Sequence, residues 1–258
     1  MPNWFQSKVL EKKIWTEGLF TITIDGSGVK PFEPGQFLHL AGFPNGISDD
    51  ADDDTREKQR VNRPYSVASP HSDRLEFFIV RVDDGELTPH LWAMEPGDDV
   101  EVSEKAAGRF TLKKTPDAEN LWLIATGTGL APYIAMMRTD EPWERFKKIV
   151  IVHGVRHADD LAYTEELQEL EKARGGNFKF VQALTRESSE GALHGRIPSL
   201  VESGELEEAA GCKMSQASAV LLCGNPAMLD SMEEVLGKRS MVKHRSKAPG
   251  QIVLERYW

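Results

Sequence analysis

The chain has 258 residues, of which 40% are hydrophobic and 28% charged, with a formal net charge of −10. That length fits one large domain or two of modest size with ordinary globular cores. The negative balance argues against general nucleic-acid binding, and no apolar run approaches the ~20 residues needed to cross a bilayer.

The N-terminal Met1-Pro2-Asn3-Trp4 has no basic segment leading into an apolar core, so no signal peptide is expected. The first half then reads as short strands parted by turn residues: Leu19 to Ile24, Gln36 to Leu40, Val61 to Ala68, Leu75 to Val82 and Val100 to Val102. An acidic block, Asp49, Asp50, Asp52, Asp53 and Asp54, falls in what reads as a loop and a solvated surface. The one helix expected here runs from Thr88 to Met94, with Thr88 as N-cap and Pro89 as its first residue. Many short strands with little helix point to an antiparallel barrel.

The pattern changes near Thr115-Pro116-Asp117. Apolar strands, Leu121 to Ala125, Ile149 to His153, Phe178 to Leu184 and Ala219 to Cys223, now alternate with helical stretches. The helices expected are Ala131 to Arg138, Asp159 to Arg174, Pro198 to Ser203 and Pro226 to Leu236. Continuous apolar strands with helical crossovers imply a parallel sheet covered on both faces. The chain therefore divides into a barrel domain over residues 1–112 and an α/β domain over residues 113–258. A basic block closes it: Lys238, Arg239, Lys243, His244, Arg245 and Lys247, either solvated surface or a docking face for an acidic partner. The two cysteines, Cys212 and Cys223, make no metal-ligand or iron–sulfur pattern, so no metal is expected and the thiols read as reduced and cytoplasmic.

Two motifs carry most of the chemistry. In Arg63-Pro64-Tyr65-Ser66, the arginine fork suits a phosphate, the ring suits stacking on a flavin, and the hydroxyl suits a flavin nitrogen. Alone, the tetrapeptide reads better as an edge strand with a structural tyrosine. The run Phe77 to Val82 adds backbone groups beside a ring, and the Thr88 hydroxyl with the following helix amides suits a phosphate. The second motif is Thr126-Gly127-Thr128-Gly129, placed on a strand-to-helix turn where open α/β sheets bind ligands. It departs from the full dinucleotide fingerprint, because Pro132 stands in the third glycine position.

The other strand ends extend the picture. Thr185, Arg186 and Arg196, with Arg156 from the second strand, suit a 2′-phosphate and so favour NADP over NAD. Cys223 precedes Gly224-Asn225-Pro226, where a small thiol suits contact with nicotinamide; the plain alternative is a buried core cysteine. The chain ends on Tyr257-Trp258, aromatics suited to stacking on a cofactor.

Taken in order and spacing, these motifs, with Gly195-Arg196-Ile197-Pro198, resemble the short bacterial ferredoxin (flavodoxin)–NADP⁺ reductases over essentially the whole chain. The resemblance implies an FAD-binding antiparallel β-barrel followed by an NADP-binding α/β domain, with FAD bound and NADP(H) as substrate. It places Arg63, Pro64, Tyr65 and Ser66 on the flavin motif, Phe78, Ile79 and Val80 along the flavin and ribityl chain, and Leu87 and Thr88 at the pyrophosphate. Thr126 falls close to the flavin. Arg156, Thr185, Arg186 and Arg196 hold the adenosine and 2′-phosphate, and Gly224, Asn225 and Pro226 border the nicotinamide half. Tyr257 stacks on the isoalloxazine and Trp258 on the FAD adenine; Ser66 and Glu255 assist near N5, with Cys223 on the nicotinamide side. The implied enzyme takes hydride from NADPH and passes single electrons to ferredoxin or flavodoxin, as a monomer with no membrane or nucleic-acid partner. One departure stands out: the loop from Ile47 to Lys58 is longer and more acidic than the family pattern.

Two other readings compete. An NAD(P)H–flavin reductase or an oxygenase reductase component keeps the chemistry, but Tyr257-Trp258 favour a held FAD and the cysteines for an iron–sulfur domain are missing. A non-catalytic flavin electron-transfer subunit keeps the scaffold, but has no need of Thr185, Arg186 and Arg196.

Overall fold

The computed structural model describes residues 3–48 and 50–256, and the chain divides between Arg109 and Phe110 into two units. The first carries β1 (Trp4–Thr16), β2 (Leu19–Asp25), β3 (Phe37–Gly42), α1 (Asp53–Gln59), β4 (Val61–Ser66), β5 (Arg74–Val80), α2 (Thr88–Ala93) and β6 (Asp99–Ser103). Its six strands lie in the order β4-β3-β6-β1-β2-β5, every pair antiparallel. Just past β4, Val67 bridges Phe77 of β5 and the Ala68 amide donates to Glu76 at 2.7 Å, which links the two outer strands into a barrel. Alternate residues, among them Phe20, Ile22, Leu38, Leu40, Phe77 and Ile79, fill the interior.

Two elements of this unit depart from the sequence expectation. β1 breaks the period of two at irregularities between Val9 and Glu11 and between Ile14 and Thr16. Its Lys12 side chain turns inward, where Nζ donates to the Trp92 carbonyl at 2.6 Å. The Ile47–Lys58 stretch is a loop that holds a helix. Asp52 caps α1 by accepting from the Thr55 amide at 2.8 Å, and acids fill the first turn, where the helix dipole favours them. Glu101 of β6 then fastens the helix to the barrel, accepting from Arg60 Nε at 2.5 Å and from Arg56 at 3.2 Å.

The second unit carries β7 (Asn120–Thr126), α3 (Ala131–Met137), α4 (Glu141–Arg145), β8 (Lys148–Val155), α5 (Thr164–Arg174), β9 (Phe178–Leu184), β10 (Ala192–His194), α6 (Ile197–Ser203), α7 (Glu205–Ala210), β11 (Ser218–Gly224), α8 (Pro226–Gly237) and β12 (Ile252–Arg256). All six strands run parallel in the order β10-β9-β8-β7-β11-β12. The chain builds outward from β7 to β10 and then returns to place β11 on the other side of β7. The strand order therefore reverses at β7 and β11, and their carboxyl ends bound the crevice where such sheets bind ligands. Both sheet faces are buried: Trp122, Ile124, Val152 and Leu222 on one, Leu121, Leu123 and Leu221 on the other.

The helix expected from Asp159 starts only at Thr164. Asp160 accepts from the His157 amide at 3.1 Å and closes a short 3₁₀ turn over Ala158–Asp160, and Tyr163 takes a left-handed backbone at φ 58. Among the described residues no helix is long and apolar enough to cross a membrane.

Candidate functional site

In the first unit, β4 is an outer strand of the sheet, so Pro64, with no N–H to give, is tolerated opposite His39. The neighbouring Arg63 is exposed; its guanidinium donates to Glu86 at 3.0 Å and to the Asn62 carbonyl at 2.8 Å. Tyr65 is half-buried against the barrel core, and that desolvation pushes its phenol up to about 12, so it stays a neutral donor. Ser66 is buried at the end of the strand. The tetrapeptide thus displays one cation and one half-covered ring.

On β5 the side chains alternate. Ile79 points into the core and pairs with Phe20 of β2, whereas Phe78 packs edge-on to Trp15 at 6.4 Å and Val80 is exposed. The turn that follows corrects the capping expectation. Leu87, not Thr88, holds the N-cap place of α2, with helical backbone angles, no side-chain cap and a buried side chain. The Thr88 hydroxyl instead fastens the turn, accepting from the Val82 amide at 2.9 Å and donating to the Val82 carbonyl at 3.2 Å.

In the second unit, the residues singled out in the sequence gather at the carboxyl edge. Thr126 ends β7, and its Oγ1 accepts from the Asn225 amide at 2.9 Å, tying the β7 end to the β11 end. Asn225 Oδ1 in turn accepts from the Ala227 amide and caps α8, with Pro226 in its first turn. The glycines are required here by space. A Cβ on Gly224 would stand 2.2 Å from Thr126 Oγ1, and one on Gly129 would stand 2.5 Å from the Cys223 carbonyl oxygen. The register sets Cys223 beside Ala125 on one side and Glu255 on the other, with Cys223 fully buried.

The arginines form a second group on the same edge. Thr185 and Arg186 amides donate to the Val155 and Arg156 carbonyls at 3.1 and 3.0 Å, which brings the ends of β8 and β9 together. Gly195 donates to Leu184 at 2.8 Å and brings Arg196 alongside. Arg156, Arg186 and Arg196 are exposed, and none of their side chains has a hydrogen-bond or ion-pair partner among the described residues. Most other arginines of the chain are tied to carboxylates, as Arg138 is to Glu166 and Arg256 to Asp230.

Sequence reasoning missed three features of this unit, the roles of Glu187, His194 and His153. Glu187 accepts from the Ala158 amide and lies 3.4 Å from His157 Nδ1, contacts that hold its carboxyl below the usual range. His194 Nδ1 meets the Glu187 carbonyl at 2.8 Å. His153 contacts the Gly127 carbonyl at 3.0 Å. A histidine inside an apolar strand is the one signal that pointed to it. The basic block near the C-terminus proves partly neutralised: Lys238 pairs with Glu202, Arg239 with Glu207 and Lys243 with Glu233. Tyr257 and Trp258 lie outside the described residues.

A parallel sheet with a switch-point crevice of this kind is a nucleotide-binding architecture, and residues 123–234 match the oxidoreductase NAD-binding domain. The flavodoxin/ferredoxin–NADP reductase of Escherichia coli (strain K12) is 42% identical over 261 residues, covering 100% of both chains. The ferredoxin–NADP reductase of Azotobacter vinelandii is 33% identical, covering 99% of this chain and 98% of its own. A solved ferredoxin NADP⁺ reductase from Neisseria gonorrhoeae, with bound FAD and NADP, matches with a TM-score of 0.88 at 28% identity, covering 98% of each chain. These likenesses define an oxidoreductase of the ferredoxin-reductase fold. The chain belongs to the flavodoxin/ferredoxin–NADP reductase family.

Proposed function

We propose that the first unit holds FAD, that the second takes NADPH, and that the enzyme exchanges electrons between NADPH and ferredoxin or flavodoxin. The observation that carries the nucleotide assignment is the set of three exposed arginines on one sheet edge, without side-chain partners among the described residues. A planar fork that never deprotonates is suited to a 2′-phosphate, the group that separates NADPH from NADH. The glycine cradle supports the same reading: a Cβ on Gly129 or Gly224 would close the crevice against the β11 and β7 backbones.

The donor set on β4 fits a flavin nucleotide. Arg63 offers a phosphate partner, since its pair with Glu86 is half-exposed and therefore weak enough to exchange. Tyr65 offers a ring with a neutral hydroxyl, and Ser66 a hydroxyl near N5. Leu87 and Thr88 offer backbone at the pyrophosphate, and Phe78, Ile79 and Val80 wall or backbone along the ring. Tyr257 and Trp258 stack on the cofactor. Bound FAD supplies the conversion between hydride chemistry at N5 and single-electron transfer. The protein's share is orientation: Thr126 and Asn225 lock two strand ends, Cys223 and Glu255 stand side by side on β11 and β12, and Gly224, Asn225 and Pro226 border the nicotinamide. The same reading expects a cytoplasmic monomer.

Replacing Arg186 with alanine tests the assignment. Loss of a charge-assisted phosphate contact, worth about 1.5–3 kcal/mol, raises the KM for NADPH by roughly 10- to 150-fold. The KM for NADH stays near its starting value. Equal losses for both nucleotides would remove the 2′-phosphate from this edge.

A further inference from the structure

His153 stands within the apolar strand β8, between Val152 and Gly154, and is fully buried. Its register partners are Ala125 on β7 and Gln182 on β9. Nε2 lies 3.0 Å from the Gly127 carbonyl oxygen. A carbonyl only accepts, so Nε2 carries the proton and Nδ1 is a bare acceptor. That Nδ1 is buried with no partner among the described residues. Burial holds the ring far below the ordinary histidine range, at about 4, so it stays neutral under assay conditions.

A half-satisfied buried imidazole is a burden on stability that an apolar side chain at the same place would avoid. The bond to Gly127 gives it a purpose. Gly127 opens the turn that follows β7 in the left-handed region, at φ 53. Across a planar trans peptide, the carbonyl of one residue and the N–H of the next point in opposite directions. With the Gly127 carbonyl drawn onto the buried ring, the Thr128 N–H faces away from it. Thr128 is the second residue of the 3₁₀ turn Gly127–Leu130, too early in that turn for its N–H to find a partner there.

We propose that His153 is a positioning residue of the dinucleotide crevice: its grip on the Gly127 carbonyl aims the Thr128 amide at the pyrophosphate. The inference rests on the NADPH assignment of this edge. It differs from the role of the arginines in one measurable way. A pyrophosphate is common to NADPH and NADH, so His153 acts on both nucleotides alike.

The test is steady-state reduction of ferricyanide by the flavin-loaded enzyme, with NADPH and with NADH. The variants are H153N, H153L and H153Q. Glutamine places its amide nitrogen where Nε2 stands and can donate to Gly127; asparagine is one methylene short, and leucine has no donor. The expected result for H153N and H153L is a rise in both KM values by one common factor, about three- to tenfold, the scale of a single net hydrogen bond. Saturated rates change little, and H153Q returns both KM values to near wild type. Either variant that cannot reach Gly127 carries the test if the other does not fold. Unchanged KM values in such a folded variant overturn the proposal alone. So does an H153Q as impaired as H153N, since packing then explains the loss. A wild-type enzyme reduced by neither nucleotide ends the NADPH assignment, and the proposal with it.

Discussion

Replacing Gly224 with alanine attacks the crevice at its tightest point. Gly224 has φ 129, a backbone region open to glycine and strained for any other residue. An added Cβ stands 2.2 Å from Thr126 Oγ1, 2.8 Å from the Thr126 carbonyl oxygen and 3.0 Å from its nitrogen. The hydroxyl can rotate away, but only by giving up its bond to the Asn225 amide, and the other two atoms belong to the β7 backbone. Backbone strain of about 1–3 kcal/mol and overpacking of about 1–3 kcal/mol add to about 2–6 kcal/mol. At roughly 2–4 °C per kcal/mol, the melting transition of the second unit falls by about 4–24 °C. The KM for NADPH rises more than tenfold, because the strand ends that border the nicotinamide half are forced apart (about 1.4 kcal/mol per factor of ten). Gly237 is the control. It ends α8, and a Cβ added there would meet no heavy atom within 4 Å, so alanine is neutral or slightly stabilising. Scanning calorimetry and ferricyanide kinetics read both variants. A Gly224→Ala enzyme that melts within about 2 °C of wild type with an unchanged KM would refute the cradle.

Glu101→Gln takes one of two carboxylates from the Arg60 guanidinium, only 8% exposed, and leaves it Glu57. Loss of the charge-assisted bond costs about 1.5–3 kcal/mol, and the urea midpoint drops accordingly; an unmoved midpoint would make the α1 clamp incidental. Stability also depends on pH through His153. The folded ring titrates at about 4, below its ordinary 6.5, so between those values the unfolded chain binds a proton that the folded chain does not. Stability is therefore full above pH 6.5 and lost as pH falls toward 4, by on the order of 3 kcal/mol. Urea melts of wild type and H153Q at several pH values check this, and a slope that survives the substitution assigns the effect elsewhere. Deleting Tyr257 and Trp258 loosens FAD and shifts nicotinamide selectivity; flavin content and nucleotide preference that match the full chain would dismiss the stacking role.

The parts of the fold that were legible are those where one physical signal dominates. Leu121 to Ala125 and Ile149 to His153 are apolar throughout because both sheet faces are covered, and Leu19 to Ile24 lies in the barrel wall. β1 escaped notice because Lys8, Glu11, Lys12 and Lys13 dilute its apolar residues and two irregularities break the alternation. α1 was hidden in an acidic run, although Asp52 followed by Asp53 and Asp54 fits an N-cap with an acidic first turn. Asp159 looked like a helix start, but its neighbour Asp160 serves a separate turn. In the candidate site, the glycines and arginines could be read because their types restrict what they can do. The Thr88 hydroxyl, the Glu187 carboxylate and His153 could not, since their roles depend on which distant backbone groups the fold brings within reach.

The central claim is that this chain is an NADPH-linked flavoenzyme. An anaerobic titration of the purified protein, followed by its visible spectrum, addresses it directly. The account predicts a flavin spectrum bleached by stoichiometric NADPH and poorly by NADH, with the colour restored when oxidised ferredoxin or flavodoxin is added. A colourless protein after loading with FAD, or a bound flavin that NADPH leaves oxidised, would contradict it.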